Sequence, residues 1–165
     1  MNKAVMLSIK PEWCVRIAIG EKTIEVRKTR PKIEPPFKCY IYETQAGTDK
    51  LLYIDKHGQP VYKGRGAVIG EFVCDHVIPI YNDTLLSADI PDELMLENLS
   101  PCLTDREIKE YLGDRSRGYG WHISDLVIYD ELRPLSDFGL KRPPQSWCYV
   151  RGGKEWIEPD TSGIM

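Results

Sequence analysis

Lys22, Thr23, Glu25 and Arg27 bring an amine, a hydroxyl, a carboxylate and a guanidinium into one short stretch, and Lys28, Arg30 and Lys32 follow at once in a Pro-flanked segment. From Thr23 the period is two, so Thr23, Glu25 and Arg27 share one strand face and Ile24 and Val26 the other. Two cations around a carboxylate, with more cations on the lip, suit a phosphate-bearing ligand held by charge-assisted hydrogen bonds. A polar row on a strand is also what a solvated face looks like. Were the site catalytic, Lys22 and Glu25 would carry the chemistry. A lysine acts as a base near neutrality only when burial or neighbouring cations lower its pKa by about two or three units, whereas a nearby Glu25 raises it. Ion-paired, Lys22 stays an ammonium that holds a phosphate or a carbonyl. Thr23 leaves a hydroxyl on the Glu25 face with only a weak carboxylate base to activate it. Water activated by Glu25 is the other hydrolytic route.

Flanking elements must hold this row in place. Ala4 to Ile9 is an apolar run suited to a buried strand. Pro11 then fits the first turn of a helix, where its missing N–H costs nothing. Trp13, Cys14, Ile17 and Ala18 recur at helical spacing as an inward face, and Gly20 stands where a left-handed C-cap is wanted. Phe37 to Thr44 alternates an apolar face with one carrying Tyr40 and Tyr42. Residues 47–66 read as a small inserted hairpin turning at Asp55 to Gly58, which leaves His57 in a loop. Ala67 to Ile80 is a long strand, apolar in part on both faces. Leu85 to Gly113 is a helical insert: Thr104 and Glu107 form a capping box, Ile108, Tyr111 and Leu112 share a face, and a second short helix covers Pro91 to Asn98. The Gly-rich, basic run from Asp114 to Gly120 reads as a flexible loop feeding a strand from Trp121 to Tyr129.

Composition bounds the class. With 165 residues, 42% hydrophobic and 28% charged, the chain suits one domain over residues 1–151 and a frayed tail over 152–165. It shows no run long enough to span a bilayer and no cleavable signal pattern, so a cytoplasmic protein without a membrane partner is expected. The five cysteines are odd in number, lack any Cys-x-x-Cys and sit mostly in apolar runs, which predicts buried thiols and indicates no metal or cofactor. His76 and His122 have no identifiable partners and read as structural, which weakens any nuclease reading. Residues 1–40 carry nine Lys or Arg against four acids, whereas residues 83–114 carry nine acids against Arg106 and Lys109. That division suits a basic face for a polyanion and an acidic flank that limits indiscriminate binding.

Ser8-Ile9-Lys10-Pro11, together with Gly20-Glu21-Lys22-Thr23-Ile24-Glu25-Val26-Arg27-Lys28, resembles the opening of the ASCH domain, a branch of the PUA-like superfamily. Gly70 to Cys74 is similar to the family's central strand, Gly118 to Ile123 with Leu132 to Leu135 to its late strand, and Arg142 to Trp147 to the turn into its closing strand. The resemblance covers most of residues 4–151. It implies an α+β, PUA-like pseudo-β-barrel of five or six mixed strands, with a helix closing one end and a helical insert on the rim. It also implies a cleft beside the first helix, where relatives bind nucleic acid or a nucleoside. The residues matching that cleft are Lys22, Thr23, Glu25 and Arg27, with Lys28 and Arg30 on the lip and Tyr42, Tyr119 and Trp121 as wall aromatics. The expected function is recognition of RNA, a nucleotide or a modified base, with DNA as a further partner. The resemblance also implies an enzymatic alternative, because some small ASCH proteins are amidohydrolases acting on a modified cytidine. Their set is a Lys, a Thr three positions later and a helix-borne Glu. Lys22 matches the first, Glu25 stands where the Thr would be, and the third has no clear match because Glu93 and Glu97 both lie in a longer helical insert. A second alternative is an interaction module in a transcription-related assembly. On the binding reading, Lys22→Ala with Arg27→Ala loses the ligand and leaves the thermal midpoint nearly unchanged.

Overall fold

The computed structural model describes residues 3–45, 51–55, 57–81, 94, 99–115 and 117–151. Among the described residues eight strands and two α-helices follow one another as β1 (Ala4–Ile9), α1 (Pro11–Ala18), β2 (Ile24–Arg27), β3 (Phe37–Glu43), β4 (Tyr53–Ile54), β5 (Pro60–Val61), β6 (Ala67–Tyr81), α2 (Asp105–Leu112), β7 (Arg117–Arg133) and β8 (Trp147–Val150). Apolar on both faces, β1 must be covered on both, and it lies inside the sheet. It runs parallel to β3, with Val5 opposite Cys39 and Leu7 opposite Ile41, and antiparallel to β8. The six-stranded sheet has the order β2-β7-β6-β3-β1-β8, and β4 with β5 forms the small separate hairpin.

Alternation along β1 feeds two cores. Val5, Leu7 and Ile9 pack with Cys14 and Ile17 of α1 and with Phe72 and Trp121, while Ala4 and Met6 pack with Tyr40, Tyr42 and Phe138. A third cluster joins Ile24 and Val26 of β2 to Ile78, Ile80, Ile108 and Leu112 and docks α2 beside β2. Burial of each large aliphatic side chain there contributes about 1.5–3 kcal/mol. The Thr104 and Glu107 capping box forms as expected, and α2 ends at Gly113. Of the second helix expected over Pro91 to Asn98 the described residues include Leu94 alone, which packs against this third cluster; Glu93, Glu97 and the tail over 152–165 lie outside them.

Two expectations change. The sheet is open, with β2 and β8 at its ends and no ladder joining them among the described residues. Side chains span the gap instead: Arg27 donates to Ser146 and to the Ser8 carbonyl, and Trp147 Nε1 donates to Thr29 Oγ1 at 2.9 Å. The run from Gly118 to Gly120 is strand, not loop, paired to both β6 and β2. Its glycines serve close approach: a Cβ on Gly118 would lie 2.5 Å from Leu112 of α2, and one on Gly120 would lie 2.9 Å from Ile24.

The inserted hairpin forms where expected, turning through Asp55, whose carboxylate accepts from the backbone N–H groups of His57 and Gln59. Its exit is tied to β3 by Glu43, which is fully buried and takes a two-oxygen grip from the Arg65 guanidinium at 3.0 and 3.2 Å. All five cysteines are free, and Cys14, Cys39 and Cys74 are buried. His76 and His122 are not isolated, since both contact Asp75. Among the described residues no helix is long and apolar enough to cross a membrane.

Candidate ligand-binding cleft

The polar row of β2 is buried. Lys22, Glu25 and Arg27 are 2%, 6% and 8% exposed, which excludes the solvated-face reading for all three. Thr23 is the reason on one side. Its N–H donates to the Ser100 carbonyl at 2.8 Å, and its Oγ1 accepts from the Ser100 N–H at 2.8 Å, clamping the segment that returns from the insert. The clamp delivers the Pro101 carbonyl to Lys22 Nζ, which donates to it. Thr23 therefore positions the site and does not line it.

Buried charges persist only when paired, and these three form a chain. Glu25 Oε1 lies 3.7 Å from Lys22 Nζ, and Glu25 Oε2 lies 3.4 Å from Arg27 Nη2. Arg27 has little capacity left: Nη1 donates to the Ser146 carbonyl and Oγ, each at 3.1 Å, and Nη2 to the Ser8 carbonyl at 2.8 Å. Lys22 is held below the ordinary lysine range, because desolvation outweighs the opposing pull of the Glu25 carboxylate. Strand parity does not show burial, so spacing alone favours the opposite balance of these two effects. Between the lowered pKa and the ordinary 10.5, the unfolded chain binds the proton that the folded chain releases, so this group adds stability as pH rises. The stability difference between the wild type and Lys22→Met, followed by urea denaturation, is expected to grow in favour of the wild type as pH climbs toward 10.5. A flat or falling difference contradicts the burial argument.

Over this chain opens a cleft of about 800 Å³. Lys22, Glu25 and Arg27 line it together with Trp13 of α1 and with Glu107, Glu110 and Tyr111 of α2. Ser8, Gln145 and Ser146 complete the lining beside Arg27. Lys22 Nζ sits 5.2 Å from the centroid of the Trp13 ring, and Lys28 Nζ 5.1 Å from that of Tyr111. Desolvation raises the Tyr111 phenol pKa above its usual value. The lining cations Lys10, Lys22 and Arg27 are balanced by Glu25, Glu107 and Glu110, so the cleft is mixed in charge and not the cationic groove the sequence suggests.

The other expected site residues are dispersed. Lys28 stands at the Tyr111 rim, while Arg30 donates to the carbonyls of Pro31 and Ile33 in its own loop. Tyr42 is buried in the second core cluster and is absent from the lining. Trp121 is fully buried, edge-on to Phe37 and Trp147, and cannot form a ligand wall. Tyr119, opposite Arg27 in the β2-β7 register, packs half-buried against the main core and is absent from the lining. The aromatics that do line the cleft are Trp13 and Tyr111, both read from sequence as inward helix positions. Each flanks the buried stripe of its helix, Cys14 and Ile17 in α1 and Ile108 and Leu112 in α2, and periodicity cannot separate such an edge position from the core.

No family model and no curated protein matches the sequence. Solved structures do. The crystal structure of ASCH from Zymomonas mobilis aligns with a TM-score of 0.62 at 16% identity, covering 97% of this chain and 91% of that one. Its Tyr-to-Phe and Ser-to-Ala variants each align with a TM-score of 0.61 at 16% identity over 98% of this chain, covering 94% and 92% of theirs. The six-stranded mixed sheet with two helices is thus an α+β fold similar to that of this ASCH structure. Its particular form is that of the ASCH domain, as the opening residues suggested.

Proposed function

We propose that this domain binds a nucleotide or a single unstacked base of RNA in the cleft over β2. The observation that carries the reading is a buried Lys22–Glu25 pair in a cleft lined by an aromatic ring from each of the two helices. An ammonium beside a carboxylate offers donor and acceptor capacity side by side, as the polar edge of a base requires. Trp13 and Tyr111 provide ring surface for stacking, worth about 1–3 kcal/mol per base. The balanced charge of the lining favours a base or nucleoside, with at most a short phosphate-bearing segment, over a long polyanion. A chain with five unpaired thiols suits a reducing compartment such as the cytoplasm.

Tryptophan fluorescence with plain and modified nucleosides and short RNAs tests the reading, with the ligand's mass followed in parallel. Binding is expected, and Trp13→Ala and Tyr111→Ala are each expected to weaken it by roughly tenfold to a hundredfold. Lys22→Met should do the same while keeping the apolar stem in place. Full affinity in all three variants sinks this site. The lowered proton affinity of Lys22 favours a second reading, hydrolysis of a modified nucleoside with Lys22 and Glu25 as the reacting pair. A mass change in the ligand that is lost in Lys22→Met identifies it. Absence of any nucleoside or RNA binding leaves the interaction module.

A further inference from the structure

We infer that Asp75, His76 and His122 form a binding site for a borderline divalent transition-metal ion such as Zn²⁺, on a face of the sheet that the cleft does not use. The backbone makes the case first. Cys74 pairs with Ile123 and Val77 with Trp121, so Asp75 and His76 on β6 together oppose His122 alone on β7. Two residues against one is a β-bulge. In a regular strand, neighbours such as Asp75 and His76 leave opposite faces and cannot meet at one point. The bulge removes that alternation, and the two bulged residues and the one they face are the three with donor atoms.

Side-chain geometry agrees. His122 Nδ1 lies 2.6 Å from one oxygen of Asp75, and His76 Nδ1 lies 3.3 Å from the other. A ligating atom from each of the three lies within 4.8 Å of those of the other two. An ion with bonds of about 2.0–2.2 Å to nitrogen and oxygen needs its donors about 3.3 Å apart, a spacing that small side-chain rotations supply. Two imidazoles and one carboxylate suit zinc, nickel, copper or iron better than magnesium or calcium, and they leave an open coordination position. The three side chains are 16–32% exposed, accessible to an ion yet held by the sheet. His122 follows Trp121, so its ring leaves the face opposite the buried indole. Residues 75, 76 and 122 match no spacing motif, and only strand pairing unites them.

A Zn²⁺ titration of the full chain, followed by the ring proton resonances of its histidines, tests the site. The chain has three histidines, and His57 in the exposed hairpin turn is the internal control. The His76 and His122 signals are expected to move together to an endpoint at one ion per chain while His57 stays in place. Asp75→Asn, nearly isosteric, should weaken binding by at least about tenfold, and His76→Asn serves if His122→Ala does not fold. All three rings moving in parallel, or wild-type affinity in Asp75→Asn and His76→Asn, overturns the inference. So does zinc binding that vanishes in a C102S/C148S double variant with His76 and His122 unmoved.

Discussion

Arg27→Ala is expected to lower stability by about 3–5 kcal/mol, the usual cost of breaking a buried, hydrogen-bonded ion pair from one side. Three losses combine. The guanidinium is the principal side-chain link between β2, at one end of the open sheet, and the β1–β8 edge at the other, through Ser8 and Ser146. Its removal leaves the Ser8 carbonyl without this donor, and it leaves Glu25 buried beside Lys22 alone. For a chain of this size the loss corresponds to a fall in Tm of roughly 10 °C. Arg27→Lys keeps the charge but cannot reach both edges with one fork, so most of the loss should persist. Scanning calorimetry decides the matter. A midpoint within a degree or two of the wild type would restore Arg27 to the role the sequence suggested, a ligand contact dispensable for folding. Because of this, the Lys22→Ala, Arg27→Ala double variant cannot separate binding from stability, and Lys22 must be tested alone.

Trp121→Ala should cost a similar amount, about 3–5 kcal/mol, for a different reason. The indole is fully buried between Phe37 and Trp147, and its removal leaves a cavity in the main core that the paired strands β6 and β7 cannot collapse to fill. Trp121→Phe sharpens the test. Among the described residues Nε1 is buried without a hydrogen-bond partner, so the native side chain bears a desolvation cost of about 1–3 kcal/mol that Phe does not. The Phe variant should therefore recover most of the lost stability. Urea unfolding of the two variants, with Trp13→Ala as a half-buried comparison, measures all three effects. Equal loss in Trp121→Ala and Trp13→Ala contradicts the packing account. Weaker nucleoside binding in a fully folded Trp121→Phe would return this ring to the cleft.

Both variants show how far a linear reading reaches. Period-two alternation separated the Glu25 and Arg27 face from the Ile24 and Val26 face, and the separation holds: Ile24 and Val26 pack against Ile108 and Leu112, while Glu25 and Arg27 line the cleft. Pro11 at the start of α1, Gly20 after its end and the Thr104–Glu107 box also follow their local signals. The run from Gly118 to Gly120 does not. A glycine needed for close approach is indistinguishable in sequence from one needed for a turn, since both lack a Cβ and only the neighbour explains why.

Sequence by itself determined most of the elements, the order in which they occur and the chemical character of the β2 row, because caps, turns and periodicity act over a few residues of backbone. Tertiary structure alone decided what those groups do. Whether Lys22 is an ordinary surface amine or a desolvated one depends on residues 99–103 lying across it. Whether Arg27 holds a ligand or joins two sheet edges depends on Ser146, far along the chain. His122 meets Asp75 and His76 only through a bulge in strand pairing. Each is a matter of desolvation and of contacts between distant segments, and neither is encoded in local spacing.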